Sequence, residues 1–334
     1  MSIRQCVTDA LNHKATENLP YGVEFTAQAL EIMKPYFGDR MSLMDKYLAY
    51  HEFWGWAEEM PDKPGHFKDV FGAVWNRTGT DRDIGVIDNP LIPDVSRRDY
   101  VFPEPDEERL RREFSALAAS KGERFAVAGF GFCMYERAWT LCGMQNILEA
   151  MVTDPEALEI LLDEILEYNL KVIDVILQYD IDAILFGDDW GQQHGLVMGP
   201  ANWRRFVKPR VKAMYDRVHA AGRFVMQHSC GDCREILGEL ADIGMDCYKT
   251  FQAEIYDINE IKALWGDKLA FWGGISTQTL LSHADAATVS RETERIVNVM
   301  RRDGGYIAAP THSVTHDIPP ENIEAMLEVF LKYN

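Results

Sequence analysis

No apolar run in this chain approaches the roughly 18 residues needed to span a bilayer, so nothing in it reads as a membrane anchor. Basic residues are scarce relative to acidic ones. There are 34 Lys and Arg against 53 Asp and Glu, for a net charge of −19. That imbalance argues against nucleic acid and anionic membranes as partners. Cysteine is sparse and scattered: Cys6, Cys133, Cys142, Cys230, Cys233 and Cys247 form no disulfide framework and read as reduced thiols. The start of the chain lacks the charged-then-apolar order of a targeting segment, and the expectation is a cytoplasmic protein. No Gly-x-Gly-x-x-Gly or phosphate-loop motif follows an apolar run, which lowers the nucleotide-binding open sheet as a reading.

What is present is ordinary globular composition, 47% hydrophobic and 26% charged over 334 residues. That length can bury enough apolar surface to fold without disulfides. From residue 124 onward, six short apolar segments alternate with helical periodicity: 125–132, 182–186, 223–227, 246–250, 269–274 and 306–312. Earlier, 19–25 reads as a first strand ending near Glu24, and 41–60 as an aromatic-rich helix. Thr153-Asp154-Pro155-Glu156 reads as a capping box opening a helix that runs to about Tyr179. Residues 61–105 are proline-rich, with a hairpin expected between 71–75 and 84–87. Strict strand–helix alternation at this length predicts one α/β domain over 1–334, a distorted (β/α)8 barrel. The segment 41–105 is its helical and hairpin excursion, expected to cover the barrel mouth.

In such a barrel the carboxyl ends of the strands share one rim, and chemistry belongs there. The residues that fall at it are Glu24, Cys133, Glu136, Asp188, Asp189, His228, Cys230, Asp232, Cys233 and His312. His228 and Cys230 are two apart on an extended segment and point the same way. An imidazole and a thiolate so placed can hold a zinc ion, and a third ligand must come from another strand end. His312 and Cys233 are the natural choices, with Asp188, Asp189 and Glu24 behind them. The alternative is a hydrogen-bonded histidine at a tight turn beside a passive thiol. Cys230-Gly231-Asp232-Cys233 is also a Cys-x-x-Cys, but it has no thioredoxin-like surroundings. Asp188 and Asp189 are candidate catalytic groups, or one of them caps a turn. Trp190 and Trp272 are candidate walls of a substrate pocket, with Glu24 and Glu136 as substrate contacts. Arg137 reads as the partner of a rim carboxylate.

The order of Gly187-Asp188-Asp189, Phe206-Val207-Lys208-Pro209, His228-Ser229-Cys230-Gly231, Phe271-Trp272-Gly273-Gly274-Ile275 and Ala309-Pro310-Thr311-His312 resembles the uroporphyrinogen decarboxylase superfamily. The resemblance includes the corrinoid-dependent methyltransferase branch of that superfamily. It implies a distorted (β/α)8 barrel, in agreement with the strand count. The decarboxylases carry paired arginines after their first strand to grip a polycarboxylate. Here the segment is Glu24-Phe25-Thr26-Ala27-Gln28-Ala29-Leu30, with an acid and no arginine. The methyltransferase branch is the closer likeness, and it implies zinc on His228 and Cys230, with His312 standing where its third ligand is a cysteine.

The expectation is a zinc-dependent methyltransferase exchanging a methyl group between a small methoxy, methylamine or thiol substrate and a corrinoid carried by a partner protein. Asp188, Asp189 and His312 are its candidate catalytic residues. A homodimer is the expected assembly. Two other readings stand beside it: a metal-free decarboxylase or lyase of a small acid, and a non-catalytic corrinoid or tetrapyrrole binder.

Overall fold

The computed structural model describes residues 2–78, 85–96 and 99–334. Its centre is a seven-stranded, wholly parallel sheet. Strand β1 is Leu48–Phe53, and β2 to β5 are Ala57–Glu59, His66–Asp69, Val74–Asn76 and Val86–Ile87. Strands β6 to β11 are Phe125–Phe130, Ala183–Gly187, Phe224–His228, Cys247–Phe251, Ala270–Ile275 and Tyr306–Pro310. The parallel sheet runs in the order β1-β6-β7-β8-β9-β10-β11, each strand beside its successor. Parallel strands buried on both faces read as continuous apolar runs, and all six residues of β6 and of β10 are buried.

Three expectations are corrected before residue 160. The stretch 41–60 is not a helix. It holds a 3-10 turn at Gly38–Leu43 and then β1, whose apolar residues pair with β6 from Leu48↔Phe125 to Phe53↔Phe130. Burial against β6 overrode a pattern that looked helical in isolation. Residues 19–25 are not a regular strand. They make two isolated parallel bridges, Tyr21↔Ala308 and Phe25↔Val314, and the Val23 N–H donates to the Met44 carbonyl on the other side at 3.0 Å. The helix Pro155–Ile176 is capped by Asp154, whose carboxylate accepts from the Ala157 N–H, and not by Thr153, whose hydroxyl turns back to the Glu149 carbonyl.

The proline-rich stretch holds a second, antiparallel sheet in the order β2-β3-β4-β5. The expected hairpin is there as β4 and β5, with Trp75 opposite Ile87, although residues 79–84 of its turn lie outside the described ones. This small sheet is tied to the large one through a buried ion pair. The Asp69 carboxylate accepts from the Phe71 and Ala73 N–H groups, the Trp75 indole and the Arg137 guanidinium, the last at 3.1 Å. Arg137 also donates to the Trp54 carbonyl and lies over the Phe71 ring at 3.9 Å. It therefore pairs with the small sheet and not with a rim carboxylate. Removing one partner of a buried pair leaves an uncompensated charge. Arg137→Leu is therefore expected to cost about 3–5 kcal/mol, read by denaturant unfolding. Among the described residues no helix is long and apolar enough to cross a membrane.

Candidate active site

The register of the large sheet sets one row of residues at its carboxyl edge: Gly187 pairs with His228, and His228 with Lys249. Beyond that row, the loops after β7 and β8 touch backbone to backbone. A Cβ on Gly231, which has φ +80°, would come 2.4 Å from the Gly191 carbonyl carbon. Only glycine allows that approach, and it holds Cys230 in place. The Cys230 N–H donates to Asp189 at 2.8 Å, and the Gly231 N–H to the Gln252 side chain at 2.8 Å.

His228, Cys230 and His312 converge. Their ligand-type atoms all lie within 4.8 Å of one another. The His228 and His312 rings meet edge to face at 5.9 Å. On His228, Nδ1 hydrogen-bonds the buried Thr250 hydroxyl at 2.8 Å, and Nε2 lies 3.5 Å from Cys230 Sγ. Thr250 thus fixes the ring and aims its second nitrogen into the cluster, as an outer partner of a metal ligand does. One edge of the His228 ring opens to a cavity, but protein surrounds the rest, and burial pulls its pKa down to about 4. Burial and then Asp189 push the Cys230 thiol well above its ordinary range. Cys233 stands apart. It is buried, with its sulfur 3.3 Å from the Ser229 hydroxyl, so it does not join the cluster.

A cavity of about 430 Å³ opens beside the cluster. Glu24, Glu52, Glu136 and Asp189 line it, together with Lys249, Tyr50, Phe132, His228, Thr250 and His312. Lys249 is nearly buried. Its ammonium donates to Glu24 at 2.7 Å and lies over the Trp272 ring at 4.4 Å. Burial, then Asp189 and Asp188, hold Glu136 well above the ordinary carboxylate range. Glu52 is open to the cavity yet enclosed by protein. Burial raises it, Lys249 lowers it, and Glu24 raises it further. A second, more open cavity of about 810 Å³ meets the first at Thr250, His312 and Ser313. Its wall is mostly hydroxyls and amides, including Gln192, Gln252, Thr277 and Thr311.

Several residues expected at the rim sit behind it. Asp188 is 1% exposed and does not line the cavity. Its carboxylate accepts from the N–H groups of Met134, Tyr135 and Glu136 and from the Trp190 indole, at 2.6–3.3 Å. Trp190 is fully buried against Trp203. Trp272 lies beneath Lys249, so neither tryptophan walls the cavity. Cys133 is buried, with its thiol on the Phe130 carbonyl. Asp232 pairs with Arg234. Sequence reasoning missed Tyr50, Glu52, Lys249 and Thr250. The first two fell in a stretch read as a helix. Lys249 carried a signal, as the one charged side chain in the buried strand CYKTF.

Fold and site together define an α/β protein with a metal-capable cluster and an acid-lined cavity at the carboxyl edge of a parallel sheet. The chain belongs to the uroporphyrinogen decarboxylase (URO-D) family, whose profile matches residues 80–333. Members of that family are enzymes. It is 24% identical over 261 residues to a uroporphyrinogen decarboxylase from Vesicomyosocius okutanii, covering 74% of this chain and 68% of that one. It is 19% identical over 257 residues to one from Trichlorobacter lovleyi, covering 73% and 71%. Among solved structures, a methyltransferase from Methanosarcina mazei superposes with a TM-score of 0.75 at 15% identity, over 100% of this chain and 99% of that one.

Proposed function

We propose that the protein is a zinc-dependent methyltransferase that moves a methyl group between a small substrate and a corrinoid carried by another protein. The observation that carries this reading is the convergence of His228, Cys230 and His312 from two strand ends onto one point. Two imidazoles and a thiolate suit zinc, and three protein ligands leave a fourth position for substrate. Zinc bound there would polarise a methoxy oxygen or hold a thiol as thiolate. The fold likeness to the Methanosarcina protein supports the same reading. So does the cavity lining. Lys249 is its lysine among the described residues, and no arginine lines it to grip a polycarboxylate.

The chain's own groups have separable tasks. Thr250 orients His228, and Asp189 holds the Cys230 backbone while facing substrate. Burial, then Asp189 and Asp188, hold the Glu136 carboxyl above its ordinary range, and its place on the cavity wall lets it give a proton to a leaving group. Asp188 positions the helix that carries Glu136. In this reading residues 19–25 close the seven strands into a distorted (β/α)8 barrel, the part of 41–105 that follows β1 covers its mouth, and the protein is a cytoplasmic homodimer.

The test is elemental analysis of purified protein together with methyl transfer to a reduced corrinoid, followed by its absorbance. About one zinc per chain and chelator-sensitive transfer are expected. The names of the curated relatives favour a second reading, a metal-free decarboxylase. Carbon dioxide release that survives chelators but is lost in Asp189→Asn would select it. A further expectation concerns protons. The Cys230 thiol is pushed up and His228 is pulled down to about 4, so zinc meets a neutral imidazole and a protonated thiol. Between about pH 7 and 9, binding should release about one proton, and affinity should rise about tenfold per pH unit. Calorimetry in buffers of different ionisation enthalpy measures it.

A further inference from the structure

We infer that the inner cavity takes the cationic end of its substrate, an ammonium carried a few bonds from the group that meets the His228–Cys230–His312 cluster. This rests on the cluster being the metal centre proposed above. The cavity presents four carboxylates, Glu24, Glu52, Glu136 and Asp189, against a single lysine. That lysine is already engaged, since Glu24 takes the Lys249 ammonium at 2.7 Å. No lysine or arginine among the described residues forms an ion pair with Glu52 or Glu136. Burial raises both groups, and like charge adds to it, from Asp189 and Asp188 at Glu136 and from Glu24 at Glu52, where Lys249 offsets part. A bound cation would relieve that repulsion, whereas a sulfonate or carboxylate would add to it.

The aromatic lining fits the same ligand. Tyr50 and Phe132 line the cavity, and the Tyr50 ring already faces a cation, with Lys249 Nζ 5.2 Å from its centroid. An ammonium is attracted to such ring faces. Space for the acid is built into the loop after β6. A Cβ on Gly131 would lie 3.0 Å from Glu52 Oε1, so glycine there lets the Glu52 carboxylate reach the cavity.

Three thiols that differ only in charge test the inference: 2-aminoethanethiol, 2-mercaptoethanol and 2-mercaptoethanesulfonate. Calorimetry on cobalt-loaded and metal-free protein reads the charge preference, and the cobalt absorption spectrum reads thiolate ligation separately. The ammonium thiol is expected to bind at least about tenfold more tightly than the sulfonate, with the neutral thiol between. Glu52→Gln combined with Glu136→Gln is expected to shrink that ratio to about threefold or less, with 2-mercaptoethanol on the same protein as the neutral reference. Sulfonate binding as tight as ammonium binding, no measurable binding of the ammonium thiol, or a ratio that survives the double variant would each overturn the inference. Spectral silence with the charge order intact would instead overturn the metal reading and leave the cavity's preference standing.

Discussion

His228→Ala is expected to abolish stoichiometric zinc and to lower methyl transfer by at least about a hundredfold. Loss of an outer partner of a metal ligand typically costs about 10–100-fold, and loss of a ligand itself must exceed that. His228 is held on several sides. Its Nδ1 is held by Thr250 and its ring by His312 and Asp189. Replacing it leaves Cys230 and His312, and two protein ligands make a poor zinc site. Thr250→Val is the graded companion. It keeps the ligands and removes the hydroxyl that aims one of them, so an affinity loss of about 10–100-fold with the fold intact is expected. His312→Ala separates the metal reading from its alternatives again, because His312 follows the edge strand β11, three strands from β8, and is the exposed member of the three. Zinc content by elemental analysis, read beside circular dichroism and the transfer rate, checks all three variants. Wild-type activity in metal-free His228→Ala would sink the proposed function.

What could be read from the sequence follows the range of the forces involved. Strands β6, β7, β10 and β11 were legible because a buried parallel strand needs an unbroken apolar run, while β8 and β9, broken by Gln227 and by Lys249 and Thr250, were legible from their place in the strand–helix alternation. His228 and Cys230 were legible because their convergence is local, two residues apart on one strand. Residue chemistry alone left both His312 and Cys233 open as the third member, and the resemblance pointed to His312. Cys233 is close in sequence, but the chain turns at Gly231, and Cys233 is buried against Ser229 instead. Strand β1 was hidden because its sequence, LAYHEF, breaks its apolar run with His51 and Glu52. His51 is bonded outside the strand by Glu113, and Glu52 faces the cavity, which no local pattern reveals. Reading β1 as a helix also concealed Tyr50 and Glu52, and with them the acidity of the site. Asp188 shows the same limit from the other side. The sequence placed it correctly at a strand end, yet its partners are 52 to 54 residues earlier in the chain.

Asp188→Ala is expected to destabilise the fold by about 3–5 kcal/mol, because it strips the cap from the helix Tyr135–Cys142. That helix has no side-chain cap of its own at Met134, and the first N–H groups of any helix lack partners within it. Asp188 supplies one from β7, accepting from Met134, Tyr135 and Glu136 at 3.3, 3.0 and 2.7 Å, and from the Trp190 indole at 2.6 Å. Each buried donor left unmet costs about 1–3 kcal/mol, and water has little room to replace a side chain that is 1% exposed. Asp188→Asn should cost less, since it keeps one oxygen and the shape. Its cost should also depend on pH. Burial raises the Asp188 carboxyl to about 6 against those donors, so the native state holds this proton more tightly than the unfolded chain does. The stability that comes with the proton is present below about pH 4 and is lost as pH rises to about 6. The asparagine variant has nothing to titrate there. The wild-type advantage over Asp188→Asn should therefore be larger at about pH 4.5 than at about pH 7.5, by roughly 1–3 kcal/mol. Parallel urea titrations of the two proteins at both pH values measure the gap. A gap that widens toward high pH would mean that the four donors outweigh burial and that Asp188 is a low-pKa carboxylate. In either case the helix bearing Glu136 and Arg137 stands on a carboxylate that faces away from the cavity, so the variant's first loss is in stability, and activity follows through the displacement of Glu136.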